Sequence, residues 1–537
     1  MRPPEIHEIS PSRCAESGAS HVAETKFFRW LIGKGHLKRL AESYPNPRKK
    51  TEVPLWVYLS AELTLKLHGA NGFSALPYVL HCGGLKDALG PPQVKNVKDA
   101  ERDEYQLEWE GYNQKNLYPR RTPCDQDFVR KLARSTDPQR LEFWFGSALP
   151  QLYRGVRAFD SEGIFIVDGS YLFVPDNDNY ENSSRLRFDS HNHPISKEAY
   201  KGLSAAEKRK SVLRRCYRTV TLLHTNLDKS YYLYCGLRVF QGKDNELPYM
   251  RPLVEDFAKG FGRRKIKWLI FDRGFIDGET IAYLKKQYKI DSVFPLKRHM
   301  NIYSDAKALA KLDTITPVIW RPEKKEEPAP EDKPEVIKKR ERKRRKTIER
   351  KKEGKKKPTV KEIQLRVVPK MDLWKACSVP IDVVLIRELM TDGSESEWIL
   401  GTTASVTDPL KLRQLYLVRP AIEERHRQLK CFWDLSSFRS TNFSLIVNQV
   451  VFVLLAYSLM QIFLMKIEKE ELTKATRERL LERLLPIGRK VFLYYKNRVA
   501  TLTSLEHQEM VLTLKEGPRR RILGKTRRLL KAELGDI

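Results

Sequence analysis

Cysteine is scarce in this 537-residue chain: seven, at positions 14, 82, 124, 216, 235, 377 and 431, with no pair at Cys-x-x-Cys spacing. That spacing argues against a structural zinc site, and an odd, scattered set excludes a disulfide framework. The expectation is a reduced, cytoplasmic protein. The opening residues, MRPPEIHEISPSR, have no apolar core of the kind a secretory signal needs. Internal repeats are absent. Only one apolar run is long enough to cross a membrane, Leu445 to Met465. Asn448, Gln449, Tyr457, Ser458 and Gln461 interrupt it, so it reads as a buried core helix and no membrane partner is expected. Acids are also in short supply, 68 against 99 Lys and Arg, a net charge of +31. Such an excess points to a polyanion, with nucleic acid ahead of membranes or acidic protein surfaces, because Lys and Arg near phosphates release condensed counterions.

What is present divides the chain into five regions. Residues 1–150 contain two segments of mixed apolar and basic helical periodicity, Phe27 to Leu40 and Leu55 to Leu67, with Gly33 and Gly35 as turn candidates. They read equally well as a DNA-reading module or as an ordinary helical bundle. Residues 151–305 turn β-rich. Apolar runs end at Asp168 and at Asp272, Tyr217 to Thr225 and Tyr231 to Phe240 form a hairpin pattern, Asp277 to Lys289 reads as a helix capped by Asp277, and Ser292 to Leu296 closes as a strand. That order predicts an α/β domain with a mixed sheet. Residues 306–394 read as an insertion. They hold strand candidates at Glu362 to Val368 and Ile381 to Arg387, and a run from Lys338 to Lys357 with 14 Lys or Arg and 3 Glu in 20 residues. Residues 395–470 resume with a strand at Trp398 to Thr403, a helix from Asp408 to Lys430 kinked near Pro420, and the apolar helix. Residues 471–537 are charged and expected to be helical, with seven basic residues and no acid between Arg519 and Lys531.

Two strand-ending carboxylates, Asp168 and Asp272, are the first chemical signal. Like charges brought together repel and usually share a cation, and oxygen donors suit magnesium or manganese. Either aspartate alone is as readily a turn or cap residue, and Asp168-Gly169 is a turn pair in many settings. The second signal is Tyr416-Leu-Val-Arg419-Pro-Ala-Ile-Glu423-Glu-Arg-His-Arg-Gln-Leu-Lys430. On one helix, steps of three, four and seven place Tyr416, Arg419, Glu423 and Lys430 on a common face, a carboxylate between phosphate-gripping cations. The plainer reading is a surface helix with salt bridges.

This Tyr-(2)-Arg-(3)-Glu-(6)-Lys pattern resembles the hallmark of the DDE transposases of the insertion sequence 4 family. The resemblance spans roughly residues 160–300 and 395–465 and includes the Phe271-Asp272-Arg273-Gly274-Phe275 segment and the Trp398-Ile-Leu-Gly-Thr402 strand. It implies an RNase H-like catalytic core with a β-rich insertion; the N- and C-terminal regions outside it read as mostly helical from their own residues. It also implies a metal-binding catalytic triad of Asp168, Asp272 and Glu423, holding two Mg2+ or Mn2+ ions, with spacings of 272 − 168 = 104 and 423 − 272 = 151. Only Glu423, not Glu424, fits the motif on both sides. Tyr416, Arg419, Lys430 and Arg273 are implied to touch DNA. Trp398 either stacks on a flipped base or is a core residue. The implied activity is cut-and-paste transposition by a homodimer that synapses terminal inverted repeats and joins them to target DNA. The chain departs from the family pattern at Pro420, where an aromatic is common, and at Arg425 and His426, where phenylalanines are common. A non-joining metal-dependent nuclease or a domesticated DNA-binding protein are the alternatives. Asp189, His191 and His193 read as a loop, and Asp176 and Asp178 lack the glycine and distal glutamate of a calcium loop.

Overall fold

The computed structural model describes residues 22–49, 53–69, 72–76, 126–262, 264–322, 359–475, 490–495 and 498–503, with a few isolated positions besides (6–7, 85, 88, 93–94, 107–108 and 477). The chain forms two compact units, one from residues 1–267 together with 418–537, the other from residues 268–417.

The first unit begins with helices α1 (Val22–Gly33), α2 (His36–Glu42), α3 (Leu55–Leu67), α4 (Gln126–Ser135) and α5 (Pro138–Gly155). The first helical segment of the sequence is thus split. Gly35 holds φ at 67°, a left-handed conformation that glycine adopts without a Cβ clash. Helix α3 buries eleven of its thirteen residues, Val57 to Leu67, so it is a core helix with no open face for reading DNA. Asp137 starts α5 by accepting a hydrogen bond from the Arg140 amide at 2.8 Å.

Four strands of five or more residues follow: β1 (Ile164–Val174), β2 (Ser184–Phe188), β3 (Val212–Thr225) and β4 (Leu233–Gln241), then helix α6 (Leu247–Phe261). All pairings are antiparallel. β1 lies along one edge of β3, while β2 and β4 share the other edge, β2 on the first half and β4 on the second. The expected hairpin is present as β3–β4, joined by residues 226–232. One expectation is corrected: the run from Gly163 does not end at Asp168. Asp168 is the fifth of eleven residues in β1, and Asp168-Gly169 is not a turn, because β3 keeps pairing past it, Asp168 opposite Thr221 and Gly169 opposite Val220.

The second unit is a mixed sheet of six strands: β5 (Trp268–Ile270), β6 (Asp291–Pro295), β7 (Val318–Trp320), β8 (Val360–Met371), β9 (Ile381–Met390) and β10 (Glu395–Thr402). Their spatial order is β7-β8-β9-β10-β6-β5. Only β5 and β6 run parallel, joined through helix α7 (Gly278–Tyr288), since parallel neighbours need a crossover. As expected, Asp277 caps α7, accepting from the Thr280 amide at 3.1 Å. Helices α8 (Asn301–Leu309) and α9 (Pro409–Tyr416) complete the unit. The basic run 338–357 lies outside the described residues.

The chain then returns to the first unit with α10 (Pro420–Phe432) and α11 (Phe443–Lys466). Helix α11 is the one described helix long and apolar enough to cross a membrane, and 83% of its most apolar window is buried in protein. It packs on α3, α4, α5 and β4. Three of its polar residues, Asn448, Ser458 and Gln461, find partners there. The Asn448 amide donates to Glu62 Oε1 at 2.8 Å and accepts from Tyr58 at 3.0 Å. Ser458 and Gln461 accept from the Tyr234 and Tyr232 amides. A core helix needs such partners for its buried polar groups. The C-terminal region is corrected as well: β11 (Lys490–Tyr495) and β12 (Arg498–Thr503) pair antiparallel, with Ile6–His7 added beside β12. Val-Phe-Leu-Tyr-Tyr and Val-Ala-Thr-Leu-Thr are β-branched and aromatic runs, whose strand preference outweighs the charged flanks.

Candidate active site

Asp168 is where the first unit concentrates charge. It sits on the central β1–β3 pair, 5% exposed, on the face covered by α10. Helix α10 starts at Pro420 because proline has a preset φ and no amide to leave unpaired in a first turn. The same proline cannot continue the preceding helix, so the expected helix from Asp408 to Lys430 is two helices, α9 and α10, with residues 417–419 between them. Tyr416 therefore ends α9 in the second unit, and the single-helix register that grouped it with Glu423 does not hold. Arg419 becomes the N-cap of α10 in α-helical conformation, so Arg419, Glu423 and Lys430 keep their relation without Tyr416.

Within the first unit, the motif's side chains converge on β1. Arg419 Nη2 donates to Asp168 Oδ1 at 3.0 Å, and Arg419 Nη1 donates to Glu423 Oε1 at 2.5 Å. One guanidinium thus bridges two carboxylates, Asp168 buried and Glu423 half exposed at 53%. Lys430 Nζ donates to Ser170 Oγ at 2.8 Å and to the Tyr171 carbonyl at 3.3 Å, two and three residues beyond Asp168. Burial pulls the Lys430 ammonium below its ordinary value, against the opposing pull of Asp168. Glu424 turns elsewhere. Its carboxylate accepts from Arg427 at 2.7 Å and Gln428 at 2.9 Å, and Arg427 holds it down at about 2.

A residue first noticed only as a departure joins this group. His426 is buried, with Nδ1 3.5 Å from Asp168 Oδ2 and Nε2 sharing a hydrogen bond with Thr221 Oγ1 at 2.9 Å. Thr221 is the residue opposite Asp168 on β3. The signal was available: 419, 423, 426 and 430 are steps of four, three and four on one helical face. Thr221 and Ser170 had no sequence signal, since their roles come from strand register. Arg425, the other departure, is buried against the Tyr232 ring at 4.7 Å and donates to Gln428.

The second unit places the remaining residues. Asp272 follows β5 and caps a short turn of 3-10 helix, Oδ1 accepting from the Gly274 amide at 2.7 Å. Arg273 beside it is exposed. Trp398 on β10 is half buried and meets Tyr416, ring centroids 5.7 Å apart. Asp189 accepts the amides of His191 and His193, a loop as expected, and Asp176 and Asp178 pair with Arg185 and Arg215.

Among the described residues, no group of three or more His, Cys, Asp or Glu is arranged to hold a metal ion. The Asp168–Glu423 pair nevertheless fits a hard cation: both donors are carboxylate oxygens, and one positive group already draws them together. A family model for the transposase DDE domain matches residues 160–459, more than half of the chain. No curated protein matches.

Proposed function

The chain belongs to the transposase DDE domain family, enzymes that cleave DNA and transfer strands, and on that premise we propose cut-and-paste transposition of an element bounded by terminal inverted repeats. In this reading the core is RNase H-like, of the insertion sequence 4 type. Asp168, Asp272 and Glu423 hold two divalent ions, Mg2+ or Mn2+. The observation that carries it is the shared cation of Asp168 and Glu423, two carboxylates 255 residues apart in sequence (423 − 168) held by one guanidinium.

Bound by these carboxylates, the ions would polarise a water or 3′-hydroxyl for attack on phosphorus and stabilise the leaving 3′ oxygen. The protein's part is positioning and charge. Arg419 and Lys430, already oriented against β1, bring positive charge to the backbone phosphates at the cut, and Arg273 does the same beside Asp272. His426 and Thr221 fix the second oxygen of Asp168. Trp398 and Tyr416 offer an aromatic surface for an unstacked base, worth about 1–3 kcal/mol. Two copies of the chain hold the two ends, and the reaction takes place on DNA in the cytoplasm.

Donor DNA carrying the sequences that flank this gene, incubated with Mg2+, tests the reading. The wild type gives 3′ nicks and strand-transfer products. Asp168→Asn, Asp272→Asn and Glu423→Gln each bind the DNA and lose both products, while Glu424→Gln keeps them. Cleavage without joining would indicate a nuclease instead, and unimpaired cleavage by the three variants would sink the triad.

A further inference from the structure

Beyond Asp168 the sheet extends into an arm that the catalytic reading leaves unused. It comprises residues 184–218: β2, two short helices (Lys197–Gly202 and Ala205–Lys210) and the first half of β3. The arm holds ten Lys and Arg against three acids, a net of 10 − 3 = +7. All three acids lie on its loop and helix starts. Asp189 folds its own loop, Glu207 closes a capping box with Ser204, and Glu198 stands in the first turn after Ser196.

Three of the arm's cations are held by groups without charge, Arg214 among them, over the Phe173 ring at 4.9 Å and donating to Asn192 Oδ1 at 2.9 Å. Arg187 lies over the Tyr200 ring at 4.2 Å and donates to Ser211 Oγ at 3.1 Å, and Lys208 Nζ approaches the same ring at 5.7 Å while donating to the Lys201 carbonyl. Aromatic stacking fixes the planar guanidinium and leaves its charge uncompensated, the state that suits a phosphate oxygen. Arg209 and Lys210, next to Lys208 in the chain, are exposed. By contrast Arg185 and Arg215 are neutralised by Asp176 and Asp178.

Register ties this surface to the active site. Asp168 stands opposite Thr221 on β3, and Arg187 opposite Leu213. Thr221 and Leu213 are eight residues apart, an even number, so Asp168 and Arg187 leave the sheet on the same face. Eight residues of strand span about 27 Å at about 3.4 Å each, the length of about eight base pairs at about 3.4 Å per step.

We propose that this arm is a second DNA contact, gripping the sugar-phosphate backbone of the duplex about eight base pairs from the phosphate held at Asp168. The partner is duplex DNA. A second copy of a chain with net charge +31 is a poor match for a positive face. The position of the contact rests on the transposase reading; the contact itself does not.

The test uses the full-length protein and a fluorescent 30-base-pair duplex of arbitrary sequence, because backbone contacts ignore sequence. Anisotropy titrations at several salt concentrations give the slope of log affinity against log salt. Arg187→Ala with Lys208→Ala, and separately Arg209→Ala with Lys210→Ala, should each weaken binding and make the slope shallower by about 1.8, at about 0.9 per lost phosphate contact. The second pair is exposed on a short helix and leaves the fold intact, so a misfolded first pair does not remove the test. Arg251→Ala with Lys259→Ala, on α6, removes the same charge elsewhere and should leave the slope unchanged. Arm variants that match this control would overturn the inference. A wild type that binds and cuts while the arm variants match the control leaves the transposase reading standing. A wild type that binds but never cuts, with a normal arm effect, removes that reading and keeps the arm.

Discussion

Asp168 lies between a guanidinium and an imidazole, and the imidazole is the more informative neighbour to remove. His426 touches no expected substrate atom; it bridges Thr221 and Asp168 across the β1–β3 pair. Residues that orient a metal-holding carboxylate typically matter by about 10–100-fold in metal affinity or activity. His426→Ala should therefore lower cleavage by about that factor and raise the Mg2+ concentration for half-maximal rate, with Thr221→Val acting in the same direction. A loss of rate with an unchanged Mg2+ dependence would assign His426 to packing alone. A second buried group sets a pH window. Burial pushes the Glu142 carboxyl up from 4.5 to about 8, against the lowering effects of Arg238 and the Val239 amide. Folding favours its protonated form, so this contribution to stability is complete below about 4.5 and is lost as pH rises through about 8. Urea midpoints measured between pH 5 and 9 should fall less steeply for Glu142→Gln than for the wild type.

At the scale of elements, the sequence was most legible where periodicity and caps agreed. Asp277 before α7, the β3–β4 hairpin and the buried α11 all follow from local residue chemistry. It was least legible where pairing with a distant strand decides the outcome. Asp168-Gly169 has turn chemistry, yet eleven residues of β1 run through it because β3 supplies partners on the far side. Pro420 is a full break where the pattern predicts a kink, so Tyr416 is not on the helix that carries Glu423, while Glu423 and Lys430 stay in register. The same logic gives two stability predictions. Gly35→Ala forces a side chain into the left-handed region between α1 and α2 and should cost about 1–2 kcal/mol in chemical denaturation. Asn448→Leu strips partners from the buried Glu62 carboxylate and Tyr58 hydroxyl and should cost about 1–3 kcal/mol; a neutral result would mean that α11 repacks around the loss.

For the molecule as a whole, charge is the dominant property. The run from Lys338 to Lys357 alone contributes 14 − 3 = +11 of the net +31. Replacing it with a neutral linker of equal length should weaken duplex binding more at 50 mM than at 200 mM salt, since counterion release diminishes as salt rises. Thermal unfolding of the two units should stay in place. An equal loss at both salt concentrations would point to a contact other than backbone phosphate.

The first unit is also divided in time. Its opening segment ends at residue 267 and its closing segment begins at residue 418, so 418 − 268 = 150 residues intervene during synthesis. At about 5–20 residues per second that is a delay of about 8–30 seconds. Throughout it α3, α5 and β4 lack the helix that buries them, and Asp168 lacks Arg419, Glu423 and His426. A ribosome that stops early therefore leaves a chain without either its core or its acid pair. Assembly of the core and arming of the site are one event, and it comes late, after residue 466.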